Sequence, residues 1–164
     1  MSNIVIKVEP VSILISPMGF LHYASEFLGA AQKIKTDSNF SPVPYYLVCR
    51  SIELALKAYL LAKNPYYKKI LPKKNELGHN LENILEKTIS EGLDKIISIS
   101  PKDKEELRKA NYYYSKKGFE YFELPMALEG KSKLPDIETL SGFASILTKN
   151  LKPICLKATD NPIK

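Results

Sequence analysis

Between Tyr45 and Ala62 the chain runs for almost five helical turns with only three charged residues, Arg50, Glu53 and Lys57. The rest of the segment is Leu47, Val48, Ile52, Leu54, Ala55, Leu56, Ala58, Leu60 and Leu61, with apolar residues on nearly every side. A helix of this kind is covered on most faces, which makes it the central member of a bundle. Its charges fall at i, i+3 and i+7, so they share one narrow stripe. That stripe must reach water, face a pocket or be paired, because an unpaired buried charge is very costly. A plain solvent edge and a functional edge are both compatible with the pattern. Pro42 and Pro44 sit where the helix begins, a place that tolerates a missing N–H. Asn64-Pro65 ends it near Lys63, because a residue before proline is pushed out of the helical region.

The other segments are shorter and more amphipathic. Pro17 to about Lys35 carries Phe20, Tyr23, Ala24, Phe27, Leu28, Ala31 and Ile34 at helical spacing. A third helix is expected from His79 or Asn80 to Ser90, with Gly92 just past its end. Leu93 to Ile99 reads as one or two helical turns. Ser100-Pro101 is an N-cap followed by proline at the first helical position, with Asp103, Glu105 and Glu106 near the positive end of the dipole. This fourth helix is expected to reach about Lys116, with Gly118 breaking or kinking the chain before Phe119. The last helix is expected over Asp136 to Leu151, with a frayed tail beyond Pro153. Residues 1–16 alternate loosely around Pro10 and read as a short extended arm.

The expected fold is therefore all-α: an antiparallel up-and-down bundle of four to five helices with a short extended N-terminal arm. The arm covers residues 1–16, the bundle 17–153 and the tail 154–164. At 164 residues the chain suits one domain and can bury a sizeable core without a staple. No apolar run reaches the ~18 residues of a membrane span. The N-terminus lacks a signal-peptide pattern, so the expected compartment is the cytoplasm.

Composition excludes several chemistries. Two cysteines, Cys49 and Cys155, and two histidines, His22 and His79, are too few for a thiolate zinc site or a disulfide framework. No metal and no cofactor is expected. Glycine-rich phosphate cradles, HExxH, CxxC and GxSxG are all absent from the sequence. Cys49 falls on the apolar side of the central helix, where a thiol packs rather than attacks.

The net charge is +6, and its source is local. Leu54 to Asn75 holds six lysines (Lys57, Lys63, Lys68, Lys69, Lys73 and Lys74) and no acid, enough to account for the whole excess. Interleaved with Tyr59, Tyr66 and Tyr67, this stretch is either a solvated loop or a surface that attracts phosphate. Lys63, Lys68, Lys69, Lys73 and Lys74 form the candidate basic patch. Candidate ligand-binding residues are Arg50, Glu53, Lys57, His79, Tyr114 and Lys117, the last two from the run Tyr112-Tyr113-Tyr114-Ser115-Lys116-Lys117. His79 reads either as an anion contact at a helix start or as a capping or core histidine. One tyrosine of the run could stack on a base. His22 is expected on the surface beside Glu26.

Three stretches, SIELALKAYLLA (Ser51–Ala62), LGHNLENIL (Leu77–Leu85) and ANYYYSKKGFEYF (Ala110–Phe122), resemble in order and spacing the HEPN family of nucleotide-binding helical domains. The shared features are Glu53-x-x-x-Lys57, Gly78-His79-x-Leu81 and the later tyrosine-rich helix. The resemblance implies a helical bundle, often a homodimer, tied to RNA cleavage, nucleotidyltransferase partners, toxin–antitoxin systems and host defence. Active members carry Arg, four to six residues, then His. Here the only arginines are Arg50 and Arg108, and neither is followed by histidine at that distance. The expected role is accordingly a module that binds RNA, a nucleotide or a partner nucleotidyltransferase. The alternatives are a structural oligomerisation module without ligand, and an atypical metal-independent ribonuclease using His79 with Arg50, Glu53 or Lys57.

Overall fold

The computed structural model describes residues 15–35, 40–71, 77–121 and 133–160. Among these the chain is helical, with no strand. The helices are α1 (Pro17–Lys33), α2 (Pro42–Lys63), α3 (Tyr67–Ile70), α4 (Leu81–Ser90), α5 (Pro101–Tyr114) and α6 (Ile137–Asp160). A 3₁₀ turn, Leu93–Lys95, lies between α4 and α5. Most of the expected N-terminal arm lies outside the described residues.

Helix α2 is the hub and touches all five other helices. Every residue from Ser51 to Leu61 is buried. Small residues let α1 come close: the hydroxyl of Ser51 donates to the carbonyl of Ala24 at 2.7 Å, and Ala24, Ala55 and Ala58 are fully buried. Helices α1, α2 and α6 pack on one another, while α4 and α5 cover another side of α2 and α5 also reaches α6. Apolar burial on this scale, at roughly 25 cal/mol per Å2, is what holds the bundle together.

Helix starts follow the local chemistry. Ser16 caps α1 by accepting from the Gly19 N–H at 3.0 Å, and Asn80 caps α4 by accepting from the Asn83 N–H at 3.0 Å. Ser100 and Asp103 form a reciprocal capping box at the start of α5. Asn111 ties α5 to the start of α4: its Oδ1 accepts from the Leu81 N–H at 2.8 Å and its Nδ2 donates to Glu82 at 2.8 Å. A buried asparagine on α5 thus fixes the loop end on which His79 stands.

Two boundaries differ from the sequence expectation. Helix α6 does not stop at Leu151 but runs through Pro153 to Asp160. Leu151 and Cys155, one turn apart, are both fully buried, and this burial outweighs the N–H that proline cannot supply. The segment Ile154–Asp160 is therefore part of the bundle rather than a tail. Thr159 within it accepts a hydrogen bond from the Met18 N–H at 3.1 Å. Helix α5 ends at Tyr114, two residues before the expected Lys116, because Lys117 takes a left-handed conformation (φ 61°) and the Gly118 N–H turns back to the Tyr113 carbonyl at 2.7 Å.

Candidate functional site

The charged stripe of α2 is not a solvent edge. The Glu53 side chain is wholly buried, yet it accepts four hydrogen bonds. Oε1 receives Arg50 Nη1 at 2.9 Å, from one turn earlier on α2, and Lys57 Nζ at 2.6 Å, from one turn later. Oε2 receives the Tyr114 hydroxyl at 2.5 Å from the last turn of α5, and lies 3.0 Å from His79 Nδ1 just before α4. Three separate stretches of chain thus converge on one carboxylate.

Lys57 has a second acceptor, the Gly78 carbonyl at 2.6 Å. Gly78 has φ 46°, in the left-handed region that glycine enters without a Cβ penalty. That conformation supports the turn that presents its carbonyl to Lys57 and the next side chain to Glu53. The Gly78-His79 pair is therefore clamped to α2 at two points.

The electrostatics follow from the contacts. Burial alone would raise the Glu53 pKa. The His79 hydrogen bond, the charges of Lys57 and Arg50 and the Lys57 hydrogen bond more than reverse this and hold it at about 2. Glu53 is thus an anion at neutral pH. Burial, together with the charge and hydrogen bond of Glu53, pushes the Tyr114 hydroxyl well above the usual phenol range, so it stays a donor. Burial works against the Arg50 charge, but Glu53 and Tyr114 together outweigh it and Arg50 is held above its ordinary value. One carboxylate therefore faces two fixed cations, leaving a local positive excess even with His79 neutral.

This cluster forms one wall of a groove of about 510 Å3. Arg50, Lys57 and His79 line it beside Lys68 of α3, and Phe20 and Tyr23 of α1 contribute aromatic surface above Leu54, Leu61 and Leu71. The size falls within the range of about 300–1,000 Å3 typical of small-molecule sites. The lining combines cations at one part with aromatic and aliphatic surface at another.

Of the candidate ligand-binding residues, the structure brings together Arg50, Glu53, Lys57, His79 and Tyr114 and leaves out Lys117. Lys117 is exposed in the left-handed turn after α5, where its backbone accepts from Tyr121 at 2.9 Å, and it does not line the groove. The basic patch divides. Lys68 lines the groove. Lys63 lies over the Tyr59 ring at 5.9 Å and Lys69 over the Tyr66 ring at 5.9 Å. Lys73 and Lys74 lie outside the described residues. His79 is not the cap of α4, a role taken by Asn80; its side chain is 61% exposed and tied to Glu53. His22 pairs with Glu26 at 3.4 Å, with both side chains solvated.

Phe20 and Tyr23 are not distinguishable as groove residues by sequence reasoning, because they continue the apolar stripe of α1. The one signal is their position at the stripe's edge, since both are only partly buried while Ala24 and Leu28 are core. Both cysteines are buried; desolvation pushes the Cys155 thiol up to about 12 and raises Cys49 further. Among the described residues no three histidine, cysteine or acidic side chains gather as a metal site, and no helix is long and apolar enough to cross a membrane.

Compared with known families, curated proteins and solved structures, the chain shows no match.

Proposed function

We propose that the groove binds a phosphate-bearing ligand, a nucleotide or a stretch of RNA, in a helical binding module of the HEPN type. The observation that carries this reading is the excess of fixed positive charge around Glu53 beside an aromatic wall. Arg50, Lys57 and Lys68 line the groove with a single fully ionised carboxylate among them, and Phe20 and Tyr23 add aromatic surface to its aliphatic floor. Cations favour phosphate, and aromatic faces accept a base of any identity. Arg50 reaches Glu53 through Nη1 and is 28% exposed, so its planar fork can grip phosphate oxygens as well.

The setting that accompanies this reading is a cytoplasmic homodimer acting beside a nucleotidyltransferase in a toxin–antitoxin or defence system. Its support is the motif resemblance, and for the compartment the sequence pattern of the N-terminus.

The test is fluorescence anisotropy with a labelled single-stranded RNA across a series of salt concentrations. Binding should weaken steeply with salt. Replacing both Arg50 and Lys68 by alanine should flatten the log–log slope by about 1.4, at ~0.7 for each phosphate left unneutralised. An unchanged slope would place the RNA elsewhere on the molecule. No binding at low salt would remove the reading.

A further inference from the structure

The chain contains two histidines, and their surroundings differ in a way that bears on reactivity. His22 Nε2 lies 3.4 Å from Glu26 Oε1, with side chains 57% and 60% exposed. That is a solvated pair on one face of α1, and its contact occupies Nε2. His79 is about equally open at 61%, but its partner carboxylate is fully buried and the contact is made through Nδ1, at 3.0 Å. Glu53 is an anion and can only accept. The hydrogen in that contact therefore belongs to Nδ1, and the lone pair of the neutral ring is left on Nε2, at the opposite edge of an exposed imidazole that lines the groove. Arg50 is held by the other oxygen of the same carboxylate.

We infer that Nε2 of His79 is a phosphoryl acceptor, taking a terminal phosphoryl group from a phosphoanhydride, acyl phosphate or phosphoramidate held in the groove. The inference rests on the phosphate-binding reading above. The Nε2 lone pair forms the N–P bond while the bridging bond between phosphorus and the leaving group breaks. The bonding electron pair departs with the leaving group, which takes a proton from solvent. The ring ends as a cation with phosphorus on Nε2 and hydrogen on Nδ1. Glu53 stabilises that cation by accepting the Nδ1–H, as a buried carboxylate does for a histidine that gains charge. Arg50, Lys57 and Lys68 line the same groove and supply the positive charge that the transferred oxygens need, and the Tyr114 ring meets His79 edge-on at 6.2 Å. His22 does not line this groove, so the protein carries its own control for an exposed imidazole.

The experiment uses the full chain and potassium phosphoramidate as the probe. Phosphohistidine is followed by 31P NMR and assigned by peptide mass spectrometry at neutral pH. His79 should react about tenfold or more faster than His22, the difference that a modest barrier change produces. His79→Gln should leave only the His22 rate. Arg50→Ala should slow His79 and leave His22 unchanged. In parallel, inorganic phosphate is titrated while the His79 ring proton shifts are read by NMR. If phosphate binds at His79 but both histidines react alike, phosphoryl acceptance is overturned and the binding reading stands. If phosphate neither perturbs His79 nor slows its modification, the binding reading fails and takes this inference with it.

Discussion

The Tyr114 hydroxyl, 61 residues from Glu53 in sequence, donates to Oε2 of that buried carboxylate at 2.5 Å and so ties the end of α5 to the middle of α2. The bond is charge-assisted and shielded from water, and it holds one wall of the groove in place. Tyr114→Phe keeps the ring and removes only the donor. It should cost about 1.5–3 kcal/mol of stability, read as a lower urea midpoint with an unchanged slope. A midpoint equal to the parent's would mean that the other three donors satisfy Glu53 without it.

The pairing of Glu53 with Lys57 makes a sharper case. Glu53→Ala leaves the Lys57 ammonium, 7% exposed, bonded to the Gly78 carbonyl but stripped of its counter-charge. That substitution should destabilise the bundle by about 3–5 kcal/mol. Replacing both residues at once, Glu53→Leu with Lys57→Met, removes the stranded charge and should recover much of the loss. Thermal unfolding of the parent, Glu53→Leu, Lys57→Met and the double variant measures the coupling between the two positions. Equal melting temperatures for Glu53→Leu and the double variant would show that the ammonium is readily hydrated.

Acid should expose the same carboxylate. Folded Glu53 titrates at about 2 against an ordinary 4.5, so between those values the unfolded chain binds more protons than the folded one. The Glu53 contribution is complete above about pH 4.5 and is lost as pH falls towards 2, on the order of 3 kcal/mol in all. Asp136 is also held at about 2, chiefly by the Thr139 hydrogen bond and then by Lys102, but it is common to the parent and to Glu53→Gln and cancels between them. Urea midpoints measured against pH should therefore fall more steeply for the parent than for Glu53→Gln. Parallel curves would assign the acid sensitivity to other groups.

Pro153 offers a test of the extended last helix. It sits inside α6, where it supplies no N–H to the preceding turn. Pro153→Ala should stabilise the protein by up to about 3 kcal/mol, seen as a higher melting temperature with no loss of helical circular dichroism. If the helix ended near Leu151, the substitution would change neither quantity.

Much of the fold is legible in the sequence because it depends on local pattern. The apolar run of α2, the prolines before and after it, the Ser100-Pro101 cap and the stripe of α1 each encode a helix in a few neighbouring residues. The boundaries that differ have non-local causes. Pro153 reads as a stop until Cys155 is seen to be buried, and Lys116 reads as the end of a helix until the Gly118 turn closes on Tyr113. The candidate site divides in the same manner. Arg50, Glu53 and Lys57 are legible as one face of one helix, whereas Lys117 and Tyr114 look equivalent in sequence and differ in space.

The sequence by itself determined that α2 would be central and that its three charges would share a stripe, because helical periodicity and the cost of exposing apolar surface act over a few residues. Only the tertiary structure decided what that stripe meets. Whether a buried carboxylate is tolerated depends on donors brought from α5 and from the turn before α4, and Coulombic and hydrogen-bond energies are set by ångström distances between segments that no local pattern records.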